Sequence, residues 1–156
     1  MRFIKLGLIS IVLLFIMATL FSLVIPSRVR ISKAIDIQGD VPAIMAHIKD
    51  TSAWKSWHPA FIPNDSFYTS ASTSIINGPS SDSSITMRVG WAGRENIVNG
   101  WNFYTYQQSN IVTVQWYMDF DLGWYPWKKF GSLFFEDTYG AMMEKGLRNL
   151  KRLTER

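Results

Sequence analysis

Apolar and polar positions divide this chain into one unbroken apolar run followed by shorter segments of clear periodicity. Residues 6–25 (LGLISIVLLFIMATLFSLVI) carry no charge and are interrupted only by Ser10, Thr19 and Ser22 among polar side chains. A helix of about 20 residues, rising about 1.5 Å per residue, matches a hydrocarbon layer of about 30 Å. The run, closed by Pro26, predicts a membrane anchor over residues 1–27. A cleavable signal peptide is the rival. Its apolar core usually spans about 7–15 residues and ends in a small-residue cleavage site, and neither feature fits here.

Beyond the run, residues 29–37 alternate, with Val29, Ile31, Ile35 and Ile37 in phase, which predicts a strand. Asp40 followed by Pro42 reads as a helix start, with Ile44, Ile48 and Met45 as its apolar face and residues 50–52 as its end. A short turn at residues 53–57 runs into His58-Pro59. The Ser/Thr-rich stretch that follows predicts a strand over residues 67–76, with a disordered linker as the alternative for 70–83. Asn77-Gly78-Pro79 then reads as a turn. Residues 84–91 place Ile85, Met87, Val89 and Trp91 on one face. Residues 95–108 continue as strand, with Asn99-Gly100 as a hairpin turn or bulge. The clearest alternation is residues 110–122. Val112, Val114, Trp116, Met118, Phe120 and Leu122 share one face, and Gln115, Tyr117, Asp119 and Asp121 share the other. One buried face and one wet face mark an antiparallel sheet. Residues 127–154 predict a long helix, with Met143, Gly146, Leu147 and Leu150 at i, i+3, i+4 and i+7. The glycines at 131, 140 and 146 predict a kink or a close approach to the sheet. The class is therefore α+β.

Charge changes the picture only near the anchor. The net charge is +4, yet Arg2, Lys5, Arg28, Arg30 and Lys33 all flank the apolar run. From residue 34 onward eleven Lys/Arg face twelve Asp/Glu, so the domain is close to neutral. This excess suits anionic headgroups, while a nucleic-acid partner would require a basic face on the domain itself. Arg2 and Lys5 ahead of the run favour an extracytoplasmic domain on a single-pass cell-membrane protein. With no cysteine in the chain, disulfides, thiolate metal sites and cysteine nucleophiles are excluded. Aromatic content is 15% with seven Trp, which implies either a dense aromatic core or an aromatic-lined pocket.

The order of strand, two short helices, several antiparallel strands and long C-terminal helix is that of the helix-grip fold. The stretch VRISKAIDIQGDVPAIMAHIKDTSAWKSWHPAF, with Trp54, Trp57 and Pro59, and the closing MEKGLRNLKRLTE resemble the START-like (SRPBCC) superfamily of polyketide cyclases and lipid-transfer proteins. The membrane helix ahead of them is similar to a bacterial subgroup of it. The resemblance covers most of residues 29–155, and the corresponding domain spans residues 28–156. It implies a curved antiparallel sheet wrapped on the long helix, preceded by one transmembrane helix, with a cavity for an apolar ligand between sheet and helix.

Catalytic chemistry is weakly marked. His47 reads as a helix residue, and His58 lies where it could rim a cavity mouth, with no acidic partner at a telling spacing. Asp119 and Asp121 could form an acid/base pair, but their face is the wet one. Metal ligands do not cluster, and no cofactor is implied. The candidate ligand-binding residues are Trp54, Trp57, Trp91, Trp101, Phe103, Trp116, Phe120 and Phe134. The leading expectation is a membrane-anchored, non-catalytic domain that binds a hydrophobic small molecule or lipid. A cyclase-like enzyme using His58, and a structural or protein-interaction module with a solid core and an exposed apolar patch, are the alternatives.

Overall fold

The computed structural model describes residues 2–69, 73–91, 97–106 and 109–155, and of Arg2, Thr73 and Trp91 the backbone only. The first helix, α1 (Arg2–Ser22), contains the apolar run. Its stretch Phe3–Ser22 is long and apolar enough to cross a membrane, and its large apolar side chains are exposed, while Ser22 at its end is buried. The helix unwinds through a turn at residues 23–25 ahead of Pro26.

Five strands form one curved, unclosed antiparallel sheet. They are β1 (Arg28–Gln38), β2 (Thr73–Ser80), β3 (Ser84–Trp91), β4 (Ile97–Thr105) and β5 (Ile111–Asp121), arranged in the order β1-β5-β4-β3-β2. Between β1 and β2 come α2 (Val41–Lys49) and α3 (Trp54–Trp57), each followed or preceded by a single 3-10 turn. Pro42 sits in the first turn of α2, and Ile44, Met45 and Ile48 are its buried residues, as the pattern predicts. Asp50 ends α2 and caps the next turn by accepting from Ser52 N at 3.0 Å.

The chain divides into two compact units, residues 1–29 with 121–134, and residues 30–120 with 135–156. The second holds nearly the whole sheet and α5 (Ala141–Thr154). On β5, Val112, Val114, Trp116, Met118 and Phe120 are buried, and on α5 so are Met142, Met143, Gly146, Leu147 and Leu150. The opposite sheet face is a polar ladder. Arg30 grips Asp119 through two bonds of 2.6 and 2.7 Å and lies over the Tyr117 ring at 4.3 Å. Gln115 bonds Ser32 at 2.9 Å and accepts from Asn102 and Tyr104, and Thr113 donates to Asp36 at 2.6 Å. Asp119 is thus occupied by an arginine, and Asp121 lies beyond it, accepting from Gly123 N at 3.1 Å.

The long C-terminal helix is present but interrupted. The chain passes from α4 (Pro126–Gly131) through a 3-10 turn (Ser132–Phe134) and a π turn (Glu136–Gly140) into α5. Gly131 and Gly140 stand at two of these breaks. Lys33 on β1 bridges Glu136 at 2.6 Å and Glu144 at 2.9 Å, tying the π turn and α5 to the sheet edge. Hydrogen bonds to Glu136 and then Glu144 raise the Lys33 pKa. Ahead of β2, Lys145 holds Asp65 at 2.7 Å. Burial pushes that carboxyl up, but Lys145 and the Phe67 N–H outweigh it and hold it below the usual range.

Two turn predictions are corrected. Asn77-Gly78-Pro79 lies inside β2, where the register shifts between Asn77 and Ser80, and the reversal is made by residues 81–84. A Cβ on Gly78 would stand 2.8 Å from the Thr86 carbonyl oxygen, so the glycine serves close strand approach rather than a turn. Asn99-Gly100 is likewise neither turn nor bulge. Both residues pair regularly with β3 and β5, and the Tyr117 ring covers Gly100. The strand expected over residues 67–76 starts only at Thr73, and residues 70–72 lie outside the described set, as do parts of the 95–108 segment.

Gly146 sets the helix–sheet distance in the second unit. A Cβ there would come within 2.9 Å of Trp116 Cζ3 and 3.1 Å of Pro59 Cδ. Gly146→Ala therefore sets a gain in helix propensity of about 1 kcal/mol against overpacking of about 1–3 kcal/mol. A net loss of stability is expected, read as a lower urea midpoint with an unchanged slope.

Candidate functional site

The space between sheet and α5 is where the candidate residues converge, and indole rings occupy it. The short α3 delivers Trp54 and Trp57 from above, with Trp54 Nε1 donating to Ile48 O at 2.9 Å and Trp57 Nε1 to His47 O at 3.2 Å. Trp101 on β4 and Trp116 on β5 are direct cross-strand partners and stack at 5.5 Å. Trp54 meets Trp101 edge-on at 6.1 Å, and Trp57 meets Trp116 at 5.9 Å. All four have 0% exposure and are fully buried. Aromatic pairs at these spacings add roughly 0.5–1.5 kcal/mol beyond area burial. Asn149 of α5 fastens the cluster by donating to Trp57 O at 3.1 Å.

His58 sits inside this cluster and not at a rim, which corrects the sequence reading. It is 1% exposed, stacked on Trp54 at 5.0 Å, and meets Phe61 and Trp116 edge-on at 5.0 Å each. Its Nδ1 accepts from Ala60 N at 3.3 Å. Burial pushes the imidazole down from 6.5 to about 3, so it stays neutral at ordinary pH. Among the described residues its neighbours are aromatic rings and the Ala60 N–H, with no carboxylate beside it. Its polar atom serves to close a turn.

The other candidates separate. Phe103 is buried on β4 one alternation beyond Trp101. Phe120 packs instead with Phe135 at 4.6 Å and Tyr139 at 4.7 Å, in a second aromatic group. Phe134 belongs to the first compact unit and is 67% exposed. The side chain of Trp91 lies outside the described residues. The aromatic residues the sequence singles out for a pocket wall thus divide into a closed cluster, a separate group and an exposed position.

Two buried polar groups went unnoticed in the sequence. Asn99, 2% exposed, accepts from Trp116 Nε1 at 3.1 Å and donates to Ile97 O at 3.3 Å. Its phase with Ile97, Trp101 and Phe103 could have placed it inward, had Asn99-Gly100 not been read as a turn. Trp101 Nε1 is buried with no hydrogen-bond partner among the described residues.

No protein-family model matches the sequence, and no curated protein matches it. Solved structures do match, by fold. The di-domain ARO/CYC StfQ from the steffimycin biosynthetic pathway superimposes with a TM-score of 0.58 at 11% identity, over 82% of this chain and 51% of that one. A hypothetical protein of Helicobacter pylori gives 0.57 at 9% identity, over 81% of this chain and 88% of that one. An uncharacterised protein from Bacillus thuringiensis gives 0.56 at 14% identity, over 82% of this chain and all of that one. At such identities the likeness is one of fold. The chain shares the helix-grip architecture with an ARO/CYC protein.

Proposed function

We propose that this is a membrane-anchored, non-catalytic helix-grip domain of the START-like kind that acts through its surface at the bilayer. The observation that carries the reading is the cluster of Trp54, Trp57, Trp101 and Trp116, each without accessible surface, where an internal ligand would sit. A solid core combined with exposed apolar residues points to interaction rather than to an enclosed substrate. The anchor reading is supported by the length of α1 and by a contact a cleaved signal peptide would forfeit. Lys129, a buried side chain, donates to the carbonyl of Ser22 at 3.1 Å. Arg2 and Lys5 in the first turn of α1, ahead of its apolar run, favour an extracytoplasmic domain.

A second reading is a binder of an apolar small molecule or lipid whose cluster opens to admit it. Likeness to an ARO/CYC protein supports it, and so does Trp101 Nε1, a buried donor with no acceptor among the described residues, which a ligand oxygen could supply. Displacement of a fluorescent fatty acid from the full chain in lipid nanodiscs separates the two. The surface-acting reading expects only the partition seen with empty discs. Saturable binding at one probe per chain, with a shift in tryptophan emission, would overturn it in favour of the second.

A further inference from the structure

Just beyond β5, large apolar side chains crowd a short stretch and face outward. Trp124, Trp127, Leu133 and Phe134 are 59–68% exposed, and Tyr125 is 36% exposed. Trp124 stacks on Tyr125 at 4.8 Å, Tyr125 meets Trp127 at 5.1 Å, and Lys128 Nζ lies 5.1 Å from the Tyr125 ring. Contiguous apolar surface of this kind marks a contact with something apolar.

What fixes its position is Lys129. The Ser22 carbonyl that its Nζ reaches belongs to the last residue of α1. It is among the terminal carbonyls that a helix leaves without an internal partner. A cation there also meets the negative end of the helix dipole. A second tie is backbone to backbone, Leu122 N donating to Ser27 O at 2.8 Å. The segment and the helix belong to one compact unit. A span of 20 residues, Phe3–Ser22, fills a hydrocarbon layer of about 30 Å. The Ser22 carbonyl therefore stands where hydrocarbon gives way to headgroups. Tryptophan and tyrosine favour that depth because each joins an apolar ring to a polar N–H or O–H. Lys128, beside the Tyr125 ring, suits anionic headgroups.

We propose that residues 124–134 form a second membrane contact, an aromatic collar lying in the headgroup boundary of the bilayer that α1 crosses. This rests on the reading of α1 as a membrane span. The occupant of the patch is lipid because the patch is fastened, by Lys129 and by the Leu122–Ser27 bond, to the end of a helix whose apolar side chains are exposed. The collar would give the anchor a defined depth, where a lone helix with basic flanks can slide and tilt.

The chain contains no cysteine, so single-cysteine variants need no background substitutions. Leu13→Cys, Ser56→Cys, Trp127→Cys and Phe134→Cys would each be spin-labelled in the full chain. The labelled proteins would be reconstituted in vesicles of phosphatidylcholine and phosphatidylglycerol. Collision with oxygen, which concentrates in lipid, is then compared with collision with a water-soluble nickel chelate. The expected oxygen-to-nickel ratio is highest at Leu13. At Trp127 and Phe134 it is several-fold above that at Ser56 and below that at Leu13. Ratios at 127 and 134 equal to Ser56, with Leu13 still in lipid, would overturn the collar alone. Shielding of 127 and 134 from both reagents would overturn it in favour of a protein cover, a second copy included. A Leu13 ratio equal to Ser56 would instead sink the membrane-span reading, and the collar with it.

Discussion

Trp116→Ala is expected to lower the unfolding free energy by about 3–5 kcal/mol, at the upper end of what deleting one buried side chain costs. The indole has no accessible surface and contacts Trp57, His58 and Trp101. It also approaches Gly146 closely and donates to Asn99 Oδ1. Removing it loses the transferred area, leaves a void that stacked neighbours on β4 and α3 refill only in part, and strands a buried amide acceptor. For a domain whose whole stability is about 5–15 kcal/mol, that is a large share. Trp116→Phe keeps most of the ring volume and loses the bond to Asn99, so a smaller loss is expected. Urea unfolding of the full chain in detergent, monitored by far-UV dichroism, reads both. A loss under about 1 kcal/mol for the alanine variant would mean the cluster is loose.

The second large effect is a fall in stability with acid, above the range where carboxylates matter. In the folded chain burial holds His58 neutral down to about 3, whereas the unfolded chain protonates it near the ordinary value of 6.5. Between those values the unfolded state carries the extra proton. The stability that depends on a neutral His58 is therefore fully present above about pH 6.5 and drains away as pH falls toward about 3. The slope approaches about 1.4 kcal/mol per pH unit, so stability at pH 5 should be about 2 kcal/mol below that at pH 8. Asp50, Asp65 and Glu144, all held below their ordinary values, add their own losses mainly at lower pH. His58→Asn retains an acceptor for Ala60 N and removes the titrating ring. That variant should be less stable throughout and flatter between pH 8 and 5. An equal slope in variant and parent would assign the acid sensitivity elsewhere.

The buried imidazole also illustrates what the sequence could and could not convey. A His-Pro pair after a short helix looks like a rim, and the ring that buries it, Trp116, arrives from a distant strand. β5 was legible because one of its faces is wet. Its alternation predicted the buried set from Val112 to Phe120, and also the outward Asp119 that Arg30 now grips. The face of α2 and the i, i+3, i+4, i+7 face of α5 were legible for the same reason. Glycines were harder. Gly78 and Gly100 sit beside turn-forming asparagines, and a glycine that lets a strand approach or a ring lie flat looks the same in sequence as one that turns the chain.

The aromatic cluster was legible as a set of residues and not as a volume. Alternation places Trp101 and Trp116 on the inner face. Whether a gap remains depends on how closely α5 approaches, and Gly146 sets that distance. Residues 127–134 were hidden differently. They read as the start of one long helix, whereas the 3-10 and π turns after α4 release Leu133 and Phe134 to the outside.

The filled space between sheet and helix is tested most directly by hydrogen exchange at the four buried indole N–H groups, followed by NMR on the full chain in small bicelles. The account predicts that Trp54, Trp57, Trp101 and Trp116 exchange only through global unfolding, with protection equal to the unfolding free energy. That includes Trp101, whose N–H has no acceptor among the described residues and relies there on exclusion of water. Exchange at Trp101 or Trp116 orders of magnitude faster than global opening would show solvent entering a cavity, and would contradict it.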